Sequence, residues 1–290
     1  MKKKKKKVNS KETGLDIGII LSKYLFHTDH LHYGYWTKDI NVEISNLSIA
    51  QEKYVDFVFS HIPENIKSIL DVGAGIGVIA ERLINKGFIV DCVSPSPFLT
   101  KYARKRLSDK SCIYESTYED LQINKHYDLI LFCESFQYIN MQKALENTST
   151  HLTKNGYLLI CDFFKTEAPG KSTLGGGHKI SKFRNTISNF PFEIVKDIDI
   201  TDNTAPNIAI VDDLLSNVGI PIKNLCIDYF HSNYPLLVKL ISWKFKKKFA
   251  KIDNKYFSRK KNAYNFKKYK TYRFMLYQKK ENKKYNIEKM

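Results

Sequence analysis

Asp71-Val72-Gly73-Ala74-Gly75-Ile76-Gly77 is the stretch of this chain best suited to hold a small polar ligand. Three glycines at alternate positions permit a tight turn and let a ligand approach the main chain closely, while amides opening the next helix supply donors. The same spacing would also serve a plain strand–turn–helix junction. A dinucleotide pyrophosphate asks for glycines at the first, third and sixth positions. Here the sixth position is Val78 and the third glycine comes one residue early, which disfavours a nicotinamide nucleotide. Groups able to move a proton stand elsewhere: His27, His30 and His32 ahead of Tyr33-Gly34-Tyr35-Trp36, Glu134 after an apolar run, and His178 after Gly175-Gly176-Gly177. The histidines have no carboxylate or cysteine suitably placed beside them, so no metal site is expected. The triple glycine suits a loop that moves over a pocket or is closely approached.

Alternating strands and helices must position these groups. Ser68–Val72 reads as an apolar strand, and the helix after the glycines places Ile76, Ile79, Ala80, Leu83 and Ile84 at three- and four-residue spacing until Gly87 stops it. Strands are predicted at 88–93, 112–115, 127–133, 157–162, 192–200 and 272–278, with helices at 98–107, 141–152 and around 180–188. This rhythm gives an α/β chain: a mostly parallel sheet covered by helices on both faces. Between 201 and 271 the rhythm breaks into helical segments at 207–218 and 234–257, too long for a connection and read as a cap. The expected organisation is a disordered basic tail (1–11), a core with an amino-terminal lid (12–200), a helical cap insertion (201–271), then the last strand and a second basic tail (272–290).

Composition bounds the partners. Apolar residues make up 43% and charged residues 27%, an ordinary globular balance. The net charge of +17 is uneven: residues 1–11 hold seven lysines and no acid, 239–290 hold nineteen basic residues against three acids, and the centre is mildly acidic. Basic ends around an acidic core suggest contact with something anionic, such as a membrane surface, or simple solubility. No apolar run approaches the ~18–20 residues that cross a bilayer. The amino terminus lacks the apolar stretch of a secretory signal. Five scattered cysteines without a C-x-x-C pair fit reduced thiols and a cytoplasmic protein.

Ile69–Gly77, with Tyr127–Tyr138 and Asn155–Asp162 at these distances, resembles class I S-adenosylmethionine-dependent methyltransferases over about residues 27–200 and the last strand. The resemblance implies a Rossmann-like three-layer sandwich with seven strands, the last one antiparallel, and S-adenosyl-L-methionine as cofactor. It carries the methionine end to Asp71, Gly73, Ala74, Gly75 and Gly77. The family's ribose-binding acid falls on Ser94 and its adenine-binding acid on Thr117, with Tyr118 near the adenine face; both acids are missing here. His32-Tyr33-Gly34-Tyr35-Trp36 is similar to the lid of small-molecule and lipid methyltransferases, where the tyrosine and a later glutamine, here Gln51, reach the cofactor carboxylate. Aromatics such as Trp36 would close over the sulfonium. By the same resemblance Glu134, which follows the fourth strand, is expected to shape the acceptor site and to face the cofactor. If the acceptor keeps a proton, the candidate bases are Glu134, His178 and His32, with Tyr33 a further option. The base-amine run N/D-P-P-Y/F/W is absent after the fourth strand, where Cys133-Glu134-Ser135-Phe136 stands. No cysteine follows a proline, so a small-molecule or lipid acceptor is favoured over nucleic acid. Two alternatives stay open: an idle Rossmann-like binding module, and an RNA methyltransferase using the basic carboxy-terminal region. That region is expected to cap the acceptor pocket with its aromatics facing inward.

Overall fold

The computed structural model describes residues 10–170, 172 and 174–280. Two helices, α1 (Ser10–Leu25) and α2 (Leu47–Phe59), precede the sheet. The alternation then runs β1 (Ser68–Val72), α3 (Val78–Asn85), β2 (Ile89–Val93), α4 (Pro97–Leu107), β3 (Ile113–Tyr114), β4 (Tyr127–Cys133), α5 (Met141–His151), β5 (Leu152–Lys165), α6 (Ile180–Ile187) and β6 (Phe192–Asp199). Four helices follow, α7 (Thr201–Leu214), α8 (Ile220–Asn233), α9 (Pro235–Ile252) and α10 (Ala263–Tyr269), before β7 (Lys270–Lys279). The sheet has seven strands in the order β3-β2-β1-β4-β5-β7-β6. β1 to β5 pair in parallel, and β7 runs antiparallel between β5 and β6. This is the Rossmann-like methyltransferase fold.

Local chemistry explains the element ends. Ser96 caps α4 by accepting the Leu99 N–H at 3.3 Å, with Pro97 in the first helical turn where its missing donor is harmless. Asn140 and Asn262 cap α5 and α10 in the same way. β1 and β4 are buried almost throughout because helices cover both faces, so they read as continuous apolar runs. One apolar layer joins β1, α2, α3 and β7 through Tyr54, Leu83, Phe274 and Tyr272, and a second fills the other face through Phe132, Phe136, Leu158 and Phe183.

Three expectations change. The turn at Asn155-Gly156 lies within β5, where the pairing jumps from Tyr127 opposite Leu152 to Leu129 opposite Tyr157, and Asn155 takes the left-handed φ that absorbs the extra residues. The segment 207–218 is not one helix: α7 begins at Thr201 and carries Pro206 inside it, and the five-residue wide turn Leu215–Gly219 leads into α8. The aromatics of α8 and α9 do not close over the glycine turn: Phe230 and Phe249 line a groove between these two helices, and Tyr229, Tyr234 and Trp243 are exposed. Residues 1–9 and 281–290 of the two basic tails lie outside the described residues.

Candidate active site

The glycine turn forms as the sequence predicts. Gly73, Gly75 and Gly77 all have positive φ, a region that costs side chains with a Cβ. Each glycine has a different reason. A methyl at Gly73 would strike Ser135, whose hydroxyl donates to the Val72 carbonyl at 2.5 Å and ties the turn to β4. At Gly77 it would press on Leu107 of α4, so this glycine serves helix packing. Only at Gly75 is there open space, with Leu31 the nearest side chain at 3.9 Å. The open side faces a crevice of about 230 Å³ between the turn and residues 29–32, closed beyond β4 by Cys133, Glu134 and Tyr138.

Asp71 and Glu134 give the crevice its electrostatics. Asp71 is buried and its Oδ2 has no hydrogen-bond partner. Burial raises its pKa to about 7. Glu134 has a left-handed φ of 55°, which for a non-glycine residue costs on the order of 1–3 kcal/mol and is typical of functional sites. Its Oε1 accepts the Tyr33 N–H at 2.6 Å and the Tyr272 hydroxyl at 2.9 Å. Burial pushes its pKa up to about 8, Asp162 adds to the rise, and the two donors work against it. Asp162, also raised to about 7 by burial, is held by the amide and side chain of Gln137.

These three acids set a pH dependence of the ligand-free fold. Each binds a proton more tightly folded than unfolded, so its stability is full at low pH and is lost as pH rises through the folded pKa. The depressed pKa of His32 works oppositely but is exhausted above 6.5, and that of Lys270 acts only above about 8. Between pH 6.5 and 8 the net sign is therefore negative. Unfolding free energy from urea titrations should drop by up to on the order of 3 kcal/mol across that window. A flat or rising profile would remove the buried, protonated acids.

The segment expected to form a lid is held by its main chain. Gln51 does not reach the crevice: its amide donates to the His32 carbonyl at 2.6 Å and the His30 carbonyl at 3.3 Å, and its oxygen accepts from Thr28 at 2.9 Å. Gly34 exchanges two 2.8 Å hydrogen bonds with the Asn207 amide of α7, and a Cβ there would come 2.6 Å from Ala50. That contact requires glycine at position 34. Gln51→Ala leaves those buried carbonyls without donors, at a cost of about 1–3 kcal/mol. The expected result is a lower melting temperature together with weaker ligand binding, and an unchanged melting temperature would contradict it.

Other sequence candidates are also relocated. Trp36 packs with Ala50 and Ile210, away from the crevice. The Tyr33 ring lies among Phe163, Phe266 and Tyr272, and burial keeps its hydroxyl protonated. Tyr118 is a core residue, its ring edge-on to Phe132 and its hydroxyl bonded to Thr148, so it offers no face to an adenine. Thr117 binds Asp120, and Ser94 sits buried at the end of β2. His178 directs Nε2 at the carbonyls of Phe136 and Ile139 and does not line the crevice. His32 lines the crevice, but Nδ1 meets the Tyr33 carbonyl and Nε2 meets His30, and burial drives its pKa down to about 3. The triple glycine is closely approached: Lys270, itself buried, donates to the carbonyls of Gly175 and Gly176. Asp29, Leu31, Leu99 and Tyr138 line the crevice without having been singled out, because only the folded turn brings them together.

The residues present fit a ligand with a cationic amino-acid end: an orphaned carboxyl oxygen at Asp71, a second acid at Glu134, and a turn open only at Gly75. Residues 70–158 match a methyltransferase domain. The ubiquinone biosynthesis O-methyltransferase of Rickettsia canadensis (strain McKiel) is 31% identical over 146 residues, covering 48% of this chain and 61% of that protein. Malonyl-[acyl-carrier protein] O-methyltransferase 2 of Ilyobacter polytropus is 29% identical over 114 residues, 37% of this chain and 44% of that protein. The chain thus spans about three fifths of the length of the first of these relatives and less of the second. Among solved structures, geranyl diphosphate C-methyltransferase of Streptomyces coelicolor A3(2), in complex with S-adenosyl-L-homocysteine, superposes with a TM-score of 0.64 at 14% identity over 91% of this chain and 92% of that one. The [4+2]-cyclase SpnF does so with a TM-score of 0.66 at 16% identity over 95% and 98%. At such identities the likeness establishes the fold alone, and a cyclase among the neighbours underlines that the fold does not dictate the reaction. Residues 70–158 thus match a methyltransferase domain, within a chain that has the Rossmann-like methyltransferase fold.

Proposed function

We propose that the protein transfers a methyl group from S-adenosyl-L-methionine to a hydroxyl oxygen of a small-molecule acceptor. The observation carrying this reading is the crevice at the ends of β1 and β4, where a glycine turn open at Gly75 faces the unpartnered Asp71 carboxyl. The O-methyltransferase relatives support the acceptor atom. When bound, the cofactor supplies a methyl on a positively charged sulfur, already activated for displacement. The chain then has to align, exclude water and take one proton. Asp71 and the amides of the turn bind the amino-acid end. Lid residues 30–32, held by Gln51, screen the crevice from solvent, and alignment of this kind is worth ~7–11 kcal/mol. Glu134 accepts the acceptor's hydroxyl proton: of the candidate bases, it lines the crevice and has one carboxylate oxygen outside the Tyr33 and Tyr272 hydrogen bonds.

Calorimetric titration with S-adenosylhomocysteine tests the binding half, and transfer of a labelled methyl to phenols and catechols tests the rest. Micromolar binding with labelled methyl ethers is expected. No binding at millimolar ligand would overturn the reading in favour of an idle binding module, which the absence of an acid at Ser94 favours. Methylation of RNA alone would overturn the acceptor class.

A further inference from the structure

The α8–α9 hairpin stands outside the crevice, and its charge is sorted along its length. One residue, Tyr234, separates the two helices, with Pro235 opening α9, so the hairpin turns sharply at a tip. Residues 224–243 around that tip contain Asp228 and Lys239 as their only formally charged side chains apart from His231. Residues 244–261, toward the base, hold nine lysines and arginines against Asp253. Between the two helices runs a groove of about 780 Å³, lined by Ile227, Phe230, Val238, Ile241 and Phe249. The outer side is left without a partner among the described residues: Leu236 is 83% exposed, Trp243 78% and Leu225 69%.

We propose that this tip docks on an anionic phospholipid bilayer. Apolar and aromatic side chains at the tip, with lysines set back from it, match the two layers of a membrane interface. An interfacial helix buries its apolar side ~5–10 Å deep. Lys244 lies nine residues from Pro235, roughly 14 Å along the helix axis, which is headgroup level when the tip is immersed. Trp243, at the boundary between the two halves, is where an amphipathic ring is favoured. No described helix is long and apolar enough to cross a membrane. A nucleic acid would use the lysines but leave the uncharged tip unexplained. A second copy of this chain would bury the tip but bring two sets of lysines together.

The chain supplies its own reporter. It has two tryptophans, Trp36 buried and Trp243 exposed, so a change in emission on binding comes from Trp243. The full chain is mixed with vesicles of phosphatidylcholine alone, or with about one third phosphatidylglycerol, at physiological salt. A blue shift and protection from acrylamide on the anionic vesicles only are expected, both lost in Trp243→Phe. Replacing Lys244, Lys247 and Lys248 by Gln should weaken vesicle binding by about fivefold per lysine. Leu236→Asp with Leu240→Asp should abolish the shift while the melting temperature holds, since both residues are exposed. Vesicle binding undiminished in the aspartate variant would assign it to the basic termini and overturn the proposal. So would a concentration-dependent shift without vesicles, which marks self-association, or an equal shift with RNA.

Discussion

Gly75→Val should abolish high-affinity binding of S-adenosylhomocysteine while leaving a folded protein. Valine at a φ of 57° is strained by about 1–2 kcal/mol, which a domain of this size tolerates. Its branched side chain would point toward Leu31, into the space between turn and lid. Forcing a ligand past extra methyl groups costs on the order of 1–3 kcal/mol, or about ten- to a hundredfold in affinity, and more if the ligand cannot shift. Gly87→Val is the control. That glycine also has a positive φ, 94°, but nothing lies within 4 Å of its Cβ position. It should lose comparable stability and bind normally. Normal binding by a folded Gly75→Val would show that the ligand lies elsewhere.

Glu134→Gln should lower the rate of methyl transfer by about 10²–10⁴, the usual contribution of a positioned base, with S-adenosylhomocysteine binding changed far less. Glutamine is nearly isosteric and its carbonyl oxygen can still accept from Tyr33 and Tyr272, so the lid keeps its anchor. The wild-type rate should rise with pH, because the base acts only when ionised and its pKa is raised to about 8. A cationic ligand in the crevice pulls that value down, since a positive charge favours the carboxylate. Binding at pH 7 should accordingly release protons, seen as a heat that depends on the buffer. A rate unchanged in Glu134→Gln, or a pH profile that survives it, would remove Glu134 as the base.

Much of the fold was legible because its strongest features are local. β4 has the predicted bounds, and the turn at 73–77 needs glycine for reasons that three spaced glycines announce. The site was legible only where main chain meets ligand. Tyr118, Trp36 and His178 have the right residue types at the right distances along the chain, yet each is occupied by a core or main-chain partner that lies far off in sequence. Gln51 shows the same limit: a buried amide on α2 serves whichever carbonyls tertiary packing presents, and these belong to the lid backbone. The hairpin failed differently. Its apolar positions have helical spacing, which tells that helices form but not that both will lack a core to pack against.

The paired amide hydrogen bonds between Gly34 and Asn207 join the segment that follows the crevice-lining residues 29–32 to the first turns of the helical arm. Asn203 repeats the link one turn earlier, its carbonyl and side chain both engaging Trp36. Residues 33–36 therefore cannot lift for an incoming molecule unless these bonds rupture or α7 travels with them. A force on the arm, whatever it rests against, is felt at this segment.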